Sequence, residues 1–139
     1  MSPHHPDRDR PLALVAFLGS AALVAFWSLY LTGRITLGEP GSVVADFEAA
    51  FPLADLLAAI LLLAAGAGLW RGRAWGRFAM TAGSAMVFYL GILDLTFYSR
   101  QGFFTGMHGD AVLELALCLT CSLGGAGALL RCWRSRRTS

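Results

Sequence analysis

The sequence predicts an all-α, polytopic membrane protein: a four-transmembrane-helix bundle with both termini cytoplasmic. Three observations carry that reading. Hydrophobic residues make up 56% of the 139 residues and charged residues only 14%, where a soluble domain carries about 25% charge. Four apolar stretches, at about 12–31, 51–70, 78–98 and 111–130, are each long enough for the ~30 Å hydrocarbon core of a bilayer. The eleven basic residues, all Arg, crowd alternate breaks between those stretches.

The elements follow in order. Residues 1–10, MSPHHPDRDR, are polar and Pro-containing and are expected to form a disordered cytoplasmic tail. The transmembrane domain is expected over 11–131. Leu12 to Leu31 carries no formal charge. It exceeds the roughly 7–15-residue apolar core of a cleaved signal peptide, so a retained first span is expected. Gly33, Gly38, Pro40 and Gly41 punctuate the following loop. Its second half, VVADFEAAF, suggests a short interfacial helix. Pro52 suits the first turn of the second span. RGRAWGR (71–77) is a tight basic turn, SRQGFFTGMHGD (99–110) a Gly-containing loop, and 132–139 a basic cytoplasmic tail.

Orientation follows from the arginines. Arg8, Arg10, Arg71, Arg73, Arg77, Arg131, Arg134, Arg136 and Arg137 fall on one side of a four-span chain, and only Arg34 and Arg100 on the other. The positive-inside rule puts the richer side in the cytoplasm. Trp27, Trp70, Trp75 and Trp133 fall near span ends, where interfacial aromatics collect.

The second, third and fourth spans each carry one acid: Asp55, Asp94 and Glu114. An ionisable group inside a membrane costs several kcal/mol and needs a partner, a proton or a use. With this topology each acid lies about 5–6 Å inside the outer boundary. Each also lies on a small-residue stripe: Asp55, Ala59, Leu62, Gly66; Gly83, Val87, Gly91, Asp94, Tyr98; Glu114, Cys118, Cys121, Gly125, Ala128. Small residues let membrane helices approach closely. The expectation is an outward-facing acidic cavity with ligand-binding candidates Asp55, Asp94, Glu114, Tyr98 and His108. Tyr89 and Asp110 are further rim candidates, with Asp46 and Glu48 above. The bland alternative is a set of wet or Arg-paired acids, with Arg34 and Arg100 as the available cations.

Other motifs weigh less. Cys118-Leu119-Thr120-Cys121 has the spacing of thiol–disulfide oxidoreductases. Four-helix membrane thiol oxidases also need a Cys pair in an external loop, and no Cys lies in either outer loop here. Packing is the expected role. His108 and Asp110 with Glu114 offer nitrogen and oxygen ligands, but the loop is otherwise poor in ligands, and neither a metal nor a cofactor is expected. Small multidrug transporters depend on an acid in the first span, which is absent here. Sterol-isomerase-like and sigma-2-receptor-like bundles offer an analogy of architecture alone. No nucleic-acid motif is present; the expected partners are the lipid bilayer and a second copy or another membrane protein.

AFPLAD opening the second span, LGILD closing the third, and the Gly-containing loop after it resemble small four-span bacterial integral membrane proteins of unknown function. The resemblance implies a multi-pass protein of the bacterial cell membrane and singles out Asp55 and Asp94. It implies no activity. The expected function is binding of a small cationic or lipid-like ligand, or service as a membrane-complex subunit. The alternative is a small membrane enzyme using paired carboxyls as acid and base on a lipid or isoprenoid.

Overall fold

A computed structural model describes residues 6–36, 41–106 and 109–137. The elements are α1 (Pro6–Leu31), α2 (Val43–Glu48), α3 (Pro52–Trp70), α4 (Ala74–Arg100), a 3₁₀ turn (Phe103–Gly106) and α5 (Gly109–Arg137). No strand occurs among the described residues. Four of the helices are long and apolar enough to cross a membrane. Two compact units divide the chain, the first ending at Ala79 and the second beginning at Met80; each is described by itself below.

The surface is that of a protein solvated by lipid. Large apolar side chains point outward along the spans, Leu18, Leu53, Phe78 and Leu123 among them, an arrangement water would penalise. Exposed hydroxyls are satisfied within their own helices. Ser28, Thr96 and Thr120 donate to the carbonyls of Val24, Ile92 and Ala116, each at 2.7 Å. Such back-bonding keeps these three hydroxyls from facing hydrocarbon as orphan donors.

In the first unit α1 and α3 pack antiparallel. The buried side of α1 runs Leu12, Ala13, Ala16, Ser20, Trp27, at helical spacing. It faces the buried Ala58, Ala59, Leu62 and Ala65 of α3. Ser20 Oγ donates to the Ala59 carbonyl at 2.8 Å, so the one buried hydroxyl on this α1 face is satisfied. The ring of Phe17 lies over Gly66, where an added Cβ would come within 2.7 Å of it.

Helix α1 starts at Pro6, earlier than the expected span and before Pro11, which removes a helical hydrogen bond. Two contacts hold that first turn. Arg77 Nη2 pairs with Asp9 Oδ2 at 3.0 Å, and the Arg10 guanidinium lies 5.9 Å from the centroid of the Trp70 ring. The pair is mostly shielded, with side-chain exposures of 24% for Arg77 and 14% for Asp9, but it ties down only the terminal turn of α1, which can open by itself. Asp9→Asn is therefore expected to cost about 1–3 kcal/mol of local rather than global stability. Its visible effect should be faster amide exchange confined to residues 6–12; global loss of protection would contradict this account.

Helices α1 and α3 end alike. At Gly72, φ is +63°; its N–H bonds the Leu69 carbonyl and the Arg73 N–H bonds the Gly68 carbonyl. Gly33, φ +68°, makes the same pair of bonds to Tyr30 and, through Arg34, to Leu29. These are Schellman stops, which need the left-handed region that glycine enters without strain. After Gly72 the chain turns directly into α4. Gly68 and Gly76 then touch backbone to backbone, an added Gly68 Cβ meeting Gly76 Cα at 2.5 Å.

The short helix in the first loop is present as expected. Ser42 caps α2, its Oγ accepting from the Ala45 N–H at 3.2 Å. In the second unit α4 and α5 pack antiparallel. Gly91 sits against Cys121 and Ser122, and Gly125 against Phe88.

Candidate functional site

Asp55 belongs to the first unit, in the first turn of α3. Its half-buried carboxylate accepts one side-chain hydrogen bond, from Trp27 Nε1 to Oδ2 at 2.8 Å. Trp27 lies near the end of α1 at Leu31, and it is buried at 8% exposure, because its place on the Ala13–Ala16–Ser20 face of α1 turns the indole toward α3. Arg34 and Arg100 are exposed and form no ion pair among the described residues. Asp55 likewise has no cationic partner among them. What holds the negative charge is one neutral N–H donor and the positive end of α3.

The indole–carboxylate bond is itself testable. Hydrogen bonds to charged groups are worth about 1.5–3 kcal/mol in soluble proteins, and interhelical ones in bilayers less. A double-mutant cycle of Trp27→Phe and Asp55→Leu, read by unfolding in bicelles, is expected to give a coupling of about 1–2 kcal/mol. Strict additivity would mean that the bond does not form in the bilayer.

Asp94 and Glu114 belong to the second unit. Gly91 beside Ser122 and Phe88 beside Gly125 set the register of α4 on α5. At 1.5 Å rise per residue, one turn toward the connecting loop brings Asp94 level with Cys118. A second turn brings Tyr98 level with Glu114. These two acids are therefore offset by about one helical turn, roughly 6 Å, where equal depth was expected.

Both side chains are half-buried. The Cys118 thiol, itself buried, donates weakly to Glu114 Oε1 at 3.9 Å. Tyr98 is 1% exposed, and its ring packs against Phe103 at 4.9 Å and Phe104 at 6.1 Å between centroids. The rings of the 3₁₀ turn thus pack at the connecting-loop end of this helix pair. Tyr89 is exposed, and Glu48 on α2 is buried. His108 lies outside the described residues.

Cys118 and Cys132 are buried and Cys121 is half-buried. Cys121 lies against Gly91, a packing contact within the C-x-x-C. The expected stripes are the enclosed ones: Ala59, Leu62 and Gly66 on α3, Gly83, Gly91 and Tyr98 on α4, and Cys118, Gly125 and Ala128 on α5 are buried. Among the described residues no group of His, Cys, Asp and Glu is arranged to hold a metal. Trp27 is the partner that sequence reasoning missed. Its signal was available: it falls one heptad after Ser20, on the small-residue face of the first span.

Comparison of the chain with protein-family models, with curated proteins and with solved structures gives no match.

Proposed function

We propose that this chain is a multi-pass cell-membrane protein, both termini cytoplasmic, that binds a small cationic or lipid-like ligand through acids in the outer half of its spans. The observation that carries the reading is the surroundings of Asp55. An intramembrane carboxylate is normally matched by a cation. Here an indole N–H and a helix N-terminus steady the charge, and no described Arg neutralises it. Such a site tolerates being empty and gains a full charge pair on binding. Asp94 and Glu114, on the buried faces of α4 and α5, are proposed as further ligand-binding acids.

Native mass spectrometry of protein released from lipid nanodiscs tests this. Wild type is expected to carry a discrete added mass. Asp55→Asn, which keeps an acceptor for Trp27, is expected to lose it. Bare wild-type protein, or unchanged adduct in Asp55→Asn, removes the proposal.

A second reading, that the chain is a subunit of a membrane assembly, draws on α5. Ala116, Thr120, Gly124 and Gly127 are exposed at spacings of four, four and three, and Gly124 and Gly127 have nothing within 4 Å of an added Cβ. This is a small-residue seam of the kind that pairs membrane helices. Gly124→Leu with Gly127→Leu is expected to lower the oligomeric state seen in the same spectra. An unchanged state removes this reading.

A further inference from the structure

We infer that the turn between α3 and α4 is a docking surface for anionic phospholipid headgroups. The argument starts from which charges at this end of the first unit are already used. Arg77 is paired with Asp9, and Arg10 lies over Trp70. Arg71 and Arg73 are exposed and have no side-chain partner among the described residues. They flank Gly72, whose Schellman bonds fix the backbone of the turn. Two guanidinium groups are thus carried on a rigid turn with no acid paired to them among the described residues.

The neighbours set the depth. Trp70 ends α3 and Trp75 lies in the first turn of α4. They are 51% and 48% exposed. Indoles exposed at span ends settle at the headgroup level, with the ring in the acyl boundary and the N–H toward water. The two tryptophans therefore hold Arg71 and Arg73 at the phosphate plane of the leaflet. Guanidinium matches phosphate with a planar fork of donors, and the surface potential of an anionic leaflet adds attraction for each basic residue. The opposite end of the unit supplies the contrast. Arg34 also follows a glycine-capped helix end and is exposed, but Trp27 of that end is buried. This inference concerns a surface separate from Asp55 and stands without the ligand proposal.

The test uses the full chain in nanodiscs of equimolar phosphatidylglycerol and phosphatidylcholine, with retained lipids counted by native mass spectrometry. Wild type is expected to retain phosphatidylglycerol preferentially. Arg71→Gln with Arg73→Gln is expected to reduce that preference on the order of tenfold, whereas Arg34→Gln leaves it within about twofold. The wild-type preference should also shrink as salt rises. Thermal unfolding in detergent checks that the double variant is folded; if it is not, Arg71→Lys with Arg73→Lys is used, and a partial loss is expected because point charges replace the forks. No preference in wild type overturns the inference. So does a double variant that matches wild type, or an equal loss in Arg34→Gln, which would reduce the effect to net charge.

Discussion

Replacing Gly76 by Ala is expected to destabilise the protein by about 3 kcal/mol or more, the upper end of what overpacking costs. The reason is which atoms are in the way. A Cβ on Gly76 would lie 2.4 Å from the Leu69 nitrogen and 2.5 Å from the Gly68 carbonyl carbon. Those are backbone atoms inside a hydrogen-bonded helix end, with no rotamer to move through. The α3–α4 turn must open by the better part of an ångström, at the expense of the Schellman bonds at Gly72. Gly68→Ala meets the same obstacle from the other side, at Gly76 Cα. Elsewhere in the unit the obstacles are side chains. Gly66→Ala meets the Phe17 ring and Gly19→Ala the tip of Leu62 at 3.1 Å, and both neighbours can shift. The expected order of loss is Gly76 and Gly68, then Gly66, then Gly19. Thermal midpoints in detergent check it, with a drop of about 10 °C expected for Gly76→Ala. A fall at Gly19 as large as at Gly76 would show that the helices do not meet in this way.

How much of this was legible in the sequence depends on what each feature needs. The four spans needed only uninterrupted apolar length, and the lipid sets that length. The short helix at Val43–Glu48 needed an N-cap and a composition, and Ser42 with VVADFE supplied both. The contact of Trp27 was missed because proximity to a span end does not say which way a ring points; only its phase relative to Ser20 does. The stagger of Asp94 and Glu114 along their helix pair was missed for a related reason. Helical hydrogen bonding does not stop at the hydrocarbon edge, so a span end read from hydropathy is a poor ruler, and register is set instead by where glycines let two backbones meet. The site residues follow the same division. That Asp55, Asp94 and Glu114 lie on small-residue stripes was readable from spacing, but that Asp55 takes an indole partner was not.

The glycines of α5 give the second large effect and separate fold from assembly. Gly124, Gly125 and Gly127 look interchangeable in SLGGAGALL. In the structure only Gly125 meets a neighbour, an added Cβ falling 2.8 Å from Phe88 nitrogen and Cβ and 2.9 Å from its Cα. On α4, Gly91 meets Ser122 nitrogen at 2.8 Å and its Oγ at 2.7 Å. The Ser122 nitrogen is a backbone atom inside a helix, so it has no rotamer through which to yield. Gly125→Val and Gly91→Val are therefore expected to cost about 3 kcal/mol or more each. Gly124→Val and Gly127→Val point into open space and are expected to shift the thermal midpoint by less than about 0.5 kcal/mol equivalent, while acting on oligomeric state if α5 is an assembly face. Measuring midpoint and oligomeric state on the same four proteins reads the two roles apart. If Gly124→Val unfolds the protein as Gly125→Val does, α5 is rotated relative to the packing described, and Cys118 and Glu114 turn away from α4 with it.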